Sequence, residues 1–232
     1  MPHSLLNHIT EGLLYLMQVS IILPMAVVWR RRRFFSAPVR LLSWYVYLSA
    51  ICALAARLGA LYLHNNLFVL IGFNILKMML FAAVYAQVLT SARLRRLLQW
   101  FTASGLVLVV CIAGLNQSTA TDVARVTQCA VLAGFALAYL EQSLNRRSVA
   151  QSFHDPLWLL SVGQLLYSAG TVTAFSVGNM HMKGFLTDVV FFCVALFGLV
   201  FNSFLTLAFW RAQPDSALAV EAAYEPAQLL GS

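Results

Sequence analysis

The sequence predicts an all-α polytopic membrane protein: a bundle of seven transmembrane helices, with the N-terminus outside and the C-terminus cytoplasmic. Three observations carry this. Only 10% of the 232 residues are charged and 61% are hydrophobic, against about 25% charged and 45–50% apolar in a soluble domain. The apolar residues gather in runs of 18 or more, long enough to cross a bilayer as helices. The arginines fall almost wholly in alternate connections. The shortage of charge excludes a soluble enzyme and a disordered chain. The net charge of +7 lacks the solvated basic face that nucleic-acid binding needs.

The runs are Gly12–Trp29, Leu41–Tyr62, Leu67–Thr90, Leu97–Leu115, Val123–Leu140, Leu157–Val177 and Phe185–Trp210. None alternates with period two. In hydrocarbon every backbone N–H and C=O needs an internal partner, so each run is a helix. The first run ends at the block Arg30, Arg31, Arg32 and Arg33, and Arg40 precedes the second. Arg93, Arg95 and Arg96 separate the third from the fourth, Arg146 and Arg147 the fifth from the sixth, and Arg211 follows the seventh. That places eleven basic residues on one side and only Arg125 and Lys183 on the other. Cytoplasmic loops carry the excess of basic residues, which fixes the orientation. Trp29, Trp44, Trp100, Trp158 and Trp210 all fall at the cytoplasmic ends, where an amphipathic ring sits at headgroup level.

Three regions follow: a short external N-terminus over 1–11, the seven-helix domain over 12–210 and a mobile cytoplasmic tail over 211–232. Nothing basic precedes Gly12 and no A-x-A site follows the first run, unlike a cleaved signal peptide. No output domain is expected after the last span, so any signal would leave through another chain. Cys52, Cys111, Cys129 and Cys193 lie inside runs and are expected to be free thiols.

Ionisable residues in a span are costly and therefore candidates for function. Lys77 lies about 11 residues into the third run, near mid-membrane at 1.5 Å per residue. Its stripe reads Asn66, Leu70, Asn74, Lys77, Phe81 and Tyr85, and no acid lies at its depth. A buried ammonium without an acid calls for water, an anion or a ligand carboxylate as counter-charge. Arg57 and Asp188 lie at similar depth near the outer ends of the second and seventh runs, so an Arg57–Asp188 ion pair is expected. Gln18 in the first run, with Glu11 and Tyr15, and Gln164, Tyr167 and Ser168 in the sixth, with Ser161 and Thr171, give further polar stripes. Together these form an expected polar pocket in the outer leaflet, although hydroxyl and amide residues also simply hold membrane helices together. His3, His8, His64 and His181 fall outside but follow no metal-ligand spacing, so no metal and no cofactor is expected.

The frame matches retinal proteins in helix number, yet their lysine belongs in the seventh helix and none is present there. Seven-helix sugar carriers share the topology but not the Pro-Gln pair, and intramembrane hydrolases need histidines within helices. The pair Asn65-Asn66, the helix with one ionisable residue at Lys77, and the stretch from Pro156-Leu157-Trp158 to Gly163 and Leu166-Tyr167-Ser168-Ala169-Gly170 are similar to small bacterial seven-helix modules. Those occur alone or as the membrane part of sensor kinases. The resemblance spans the second to seventh helices in order and implies a sensory role. Those modules usually carry a carboxylate where this chain has Lys77, and no catalytic residue carries over.

The expected function is thus a receptor-like module of a bacterial cytoplasmic membrane, multi-pass, and more a binder than an enzyme. It would take a small or lipophilic ligand at Lys77, Asn74, Tyr85, Arg57, Asp188, Gln18, Gln164, Tyr167 and Ser168. A partner signalling protein would meet Arg30, Arg31, Arg32, Arg33, Arg93, Arg95 and Arg96 at the cytoplasmic face. The lipid bilayer is the other partner, and the oligomeric state stays open. A small-solute or ion transporter is the alternative. A lipid-modifying enzyme, drawn from Asp188, Tyr167 and Lys77, or a structural subunit of a membrane complex comes after it.

Overall fold

The computed structural model describes residues 2–62, 64–146, 155–178 and 185–212. The expected features at Arg147, His181 and Lys183, and the tail beyond Ala212, lie outside the described residues. The elements are α1 (Pro2–Ser20), α2 (Ile22–Arg31), a 3-10 turn (Arg32–Phe34), α3 (Ala37–Tyr62), α4 (Leu67–Val88), α5 (Ala92–Ala113), α6 (Gln117–Arg146), α7 (Pro156–Gly178) and α8 (Phe185–Arg211). Among the described residues six stretches are long and apolar enough to cross a membrane: His8–Phe34, Ala37–Tyr62, Leu67–Val88, Ala92–Ala113, Thr119–Asn145 and Asp188–Arg211.

The helices run beyond the apolar runs that mark them. α6 extends from Gln117 to Arg146 where apolarity alone reads Val123–Leu140, and α3 starts at Ala37. Hydropathy marks the part in hydrocarbon, while the helix continues where polar side chains meet water and headgroups. Ends are set locally. Ser91 Oγ accepts a hydrogen bond from Leu94 N at 3.4 Å and caps α5. Asp155 Oδ1 accepts from Leu157 N at 2.9 Å at the start of α7, where Pro156 fits a first-turn position that needs no donor.

The first apolar run is not one straight helix. It breaks at Ile21 between α1 and α2. Pro24 has no N–H to offer the carbonyl four residues earlier. Asn202 of α8 supplies polar partners at the break: its Nδ2 donates to Met17 O at 3.2 Å and to Ser20 Oγ at 2.7 Å. Ser20 Oγ in turn donates to Met17 O at 2.6 Å.

Packing runs α3–α4–α6–α7–α8–α1/α2 around the bundle, with α5 set against α6 and α4. The α7–α8 interface is the most extensive, and small residues make it possible. A Cβ on Gly163 would lie 2.6 Å from Phe204 Cβ, and one on Gly170 would lie 2.1 Å from the Phe197 ring. Gly198 admits Met17 of α1 in the same way, at 2.3 Å from its sulfur. With lipid outside, close backbone approach and dispersion hold such helices together.

The ring does not close equally well everywhere. α2 meets α3 near the arginine-rich end, but α1 and α3 share no packed interface. The largest apolar core fills the arginine-rich half. There Phe35 stacks on Phe209 with ring centroids 5.6 Å apart, and Tyr85 stacks on Phe135 at 5.6 Å. Large apolar side chains such as Trp29, Leu61 and Trp210 face outward, 78%, 69% and 64% exposed, as lipid-facing surfaces require.

Two glycines separate packing from helix propensity. Gly163→Ala forces a methyl against a Cβ and should cost about 1–3 kcal/mol, as overpacking does. A Cβ on Gly72 of α4 meets nothing within 4 Å, so Gly72→Ala should be neutral or slightly stabilising. Detergent melting curves of the two variants check the contrast.

Candidate functional site

A cavity of about 380 Å³ lies inside the bundle, walled by α1, α3, α4, α7 and α8. This volume lies within the range of small-molecule sites. Arg57, Ala60 and Asn66 line the end far from the arginine-rich loops; Lys77, Tyr45, Tyr167 and Phe201 line the deeper part. Met17, Gln18 and Ile21 face it from the break in the first run, with Asn202 and Gly198 beside them. Among the described residues the lining holds two cations and no carboxylate.

Lys77 is 2% exposed. Its Nζ lies 4.5 Å from the ring centroid of Tyr167, 5.1 Å from Phe201, 5.4 Å from Tyr45 and 5.8 Å from Phe81. Four rings from α3, α4, α7 and α8 therefore surround one ammonium. The negative faces of the rings attract the charge, by about 2 kcal/mol or more where water is excluded. Tyr45 meets Phe81 and Phe201 edge-on at 5.3 and 5.8 Å, which fixes the box from behind. Rings supply no lone pair, however, and among the described residues no oxygen accepts a hydrogen bond from Lys77.

Arg57 bridges the poorly packed side. Its Nη2 donates to Gln18 Oε1 at 3.2 Å, and its guanidinium lies 4.8 Å from the Tyr15 ring centroid. The expected Arg57–Asp188 pair is corrected here. α1 packs along α8, and α3 touches α8 deeper, where Tyr45 meets Phe201; at the level of Arg57 its described partners are Gln18 and Tyr15 of α1. Asp188 lies beside Thr10, whose hydroxyl approaches the Asp188 carbonyl oxygen at 3.5 Å.

The remaining candidates divide. Lys77, Arg57, Gln18 and Tyr167 line the cavity; Asn74, Tyr85, Gln164, Ser168 and Asp188 do not. On α4 the lining stripe is Asn66, Leu70, Phe73 and Lys77. Asn74 and Tyr85 sit roughly 60–80° further round at 100° per residue. Tyr85 is fully buried and shares a 2.8 Å hydrogen bond with Ser161 of α7. Gln164 Nε2 donates to Ser168 Oγ at 2.9 Å, deep between helices. Buried nearby in sequence register, Gln128 Nε2 and Gln164 Oε1 have no protein partner. Tyr45 and Phe201 escape the sequence reading, which has Phe81 only as a member of the Lys77 stripe. They look like ordinary apolar positions one helix at a time. The only clue is a cation with no acid at its depth.

Three of the seven arginines assigned to a partner already hold the fold. Arg31 donates to the carbonyl oxygens of Trp210 and Ala212 at the end of α8, the latter at 3.2 Å. Arg32 lies over the rings of Trp44 and Tyr47, at 4.4 and 5.7 Å. Arg95 Nη1 reaches Ala86 O at 3.5 Å. Arg30, Arg33, Arg93 and Arg96 remain exposed.

Compared with known proteins, the chain matches no family model, no curated protein and no solved structure.

Because Arg57 and Asp188 have separate surroundings, Arg57→Leu and Asp188→Leu should act independently. Their shifts in detergent melting should add in the double variant, within the roughly 0.3–0.5 kcal/mol scatter of uncoupled sites. Recovery in the double variant would restore the direct pair.

Proposed function

We propose that the protein is a receptor-like sensory module that binds a small amphipathic molecule through an anionic group at Lys77. It passes a helix shift to a partner signalling protein at the arginine-rich face. The observation that carries this reading is the acid-free, ring-lined ammonium at the deep end of an internal cavity. Aromatic faces make the charge tolerable but leave its three donors without an acceptor. A ligand carboxylate or phosphate supplies one, and a charge-assisted hydrogen bond gains strength where water is scarce.

Packing favours a receptor over a carrier. A carrier needs a second exit towards the arginine-rich end, and Phe81, Tyr85, Phe135 and Phe209 fill that half, all fully buried. The break at Ile21 gives the output. Met17, Gln18 and Ile21 touch the cavity, and α2 below them carries Arg30 and Arg31. A ligand wedged against that wall turns α2 relative to α8, where Arg31 grips the last carbonyls. Exposed Arg30, Arg33, Arg93 and Arg96 then change their presentation to a partner.

In this reading α7 also spans the membrane, as the sixth helix in chain order, and completes the seven. Its 23 residues give about 34 Å at 1.5 Å per residue, and it lies between α6 and α8. The basic bias sets the N-terminus outside and the C-terminus in the cytoplasm of a bacterial cell. The similarity to small bacterial seven-helix sensory modules agrees with both points. A reporter fused after Ser232 should therefore read as cytoplasmic, and one inserted in the Asn116–Thr121 loop as external. An external C-terminus would sink the seven-span frame and the sensory face with it.

Lys77→Met tests the site. Methionine fills similar space and makes sulfur–aromatic contacts, so the variant should melt at the wild-type temperature or higher. Native mass spectrometry of protein extracted from its own membranes should find a small anionic molecule on the wild type and not on the variant. A lower melting temperature with the same bound mass would make Lys77 a packing element only.

A further inference from the structure

The cavity has a side door. α1 and α3 both line it but do not pack on each other. Along this seam α3 presents Ser49, Cys52, Ala53, Ala56 and Ala60 to the cavity. Ala53 and Ala60 are at the same time exposed on the outside of the bundle. The seam therefore lets the cavity reach the outer surface within the stretches His8–Phe34 and Ala37–Tyr62, both of which are apolar enough to lie in hydrocarbon. Across it runs one polar strap, Arg57 to Gln18, and both residues are exposed. A stripe of small residues alone would be only a packing gap. Here it leads to a buried ammonium with no acceptor.

Resting on the receptor reading above, we infer that the molecule bound is a single-chain fatty carboxylate that enters sideways from the bilayer between α1 and α3. Its carboxylate meets Lys77 Nζ inside the ring of Tyr45, Phe81, Tyr167 and Phe201. Its chain lies along Val69, Leu70 and Phe73 and leaves through the alanine seam. Charge complementarity argues for the head, since the lining has two cations and no acid. Apolar walls and a door in the membrane argue for the chain. A volume of about 380 Å³ suits one slim chain rather than the two of a phospholipid. The Arg57–Gln18 strap holds the door's far end and must yield or flex as the chain passes.

The test uses the full chain in nanodiscs of phosphatidylcholine, with melting followed by tryptophan fluorescence. Dodecanoate should raise the wild-type melting temperature by several degrees. Dodecanol, dodecyltrimethylammonium and the water-soluble benzoate should not. Lys77→Met should lose the dodecanoate shift while keeping its own melting temperature. Ala56→Trp fills the seam and should lose the shift with Lys77 intact; Ala53→Leu is the milder plug if the tryptophan variant does not fold. An equal, Lys77-dependent shift with benzoate leaves the anion site standing and overturns the lipid class. An equal shift with dodecanol overturns the pairing at Lys77. A full dodecanoate shift in both seam variants overturns sideways entry. No Lys77-dependent shift with any carboxylate overturns this inference and the receptor's anion site together.

Discussion

Everything distinctive about this bundle depends on placing one ammonium in the middle of apolar helices without a carboxylate to meet it. At the centre of a transmembrane helix a lysine costs about 2.5–3.5 kcal/mol on insertion scales. Here four π faces from four helices offset that cost. The solution dictates geometry. Tyr45, Phe81, Tyr167 and Phe201 must converge at one depth, so α3, α4, α7 and α8 are held in register. An Asp or Glu in the box would have neutralised the lysine and closed the site to anions. Rings leave the charge expressed towards the cavity.

The same constraint explains why the first run is broken. α1 must approach α8 closely enough for Met17 to sit over Gly198. Beyond that point α2 must reach both α3 and the end of α8, where Phe35 stacks on Phe209 and Arg31 holds the last carbonyls. Pro24 removes a backbone donor, and Asn202 with Ser20 supplies polar partners at the break. Asn202 thus sits at the interruption of the first run and also forms cavity wall.

Some of this is legible in the chain and some is not, for reasons that differ by residue. Seven apolar runs are read because hydrocarbon leaves the backbone no other choice, and among the described residues six helices are long and apolar enough to match them. Lys77 stands out because its charge breaks a one-dimensional pattern. Gln18, Arg57, Lys77 and Tyr167 are legible as polar or charged positions in apolar runs and line the cavity, while Asp188, Gln164 and Ser168 are equally legible and do not. Pairing is another matter. Arg57 and Asp188 share a depth, and depth is readable; azimuth around the bundle is not, and α1 intervenes. Asn74 and Lys77 share a broad stripe in sequence, but three residues along a helix is 300° of rotation. That is enough to send Asn74 to an adjacent face and leave Phe73 lining the cavity. The ring of aromatics is hidden for the opposite reason. Tyr167 belongs to a polar stripe and Phe81 to the stripe of Lys77, but Tyr45 and Phe201 are ordinary positions on their own helices, and the pattern exists only after assembly.

The arginine-rich face closes the argument about direction. Stacked, buried rings fill the half below Lys77, and close-packed side chains transmit strain rather than absorb it. α2 lies at the junction. It is tied to the cavity through the break at Ile21, to α3 through Arg32 over Trp44 and Tyr47, and to α8 through Arg31. A change of width at the cavity wall therefore has one short route out, along α2. That route ends at Arg30 and Arg33, charges the fold itself leaves exposed. The residues that cost this protein most to place, a cation in the core and a helix broken in lipid, stand at the two ends of that route.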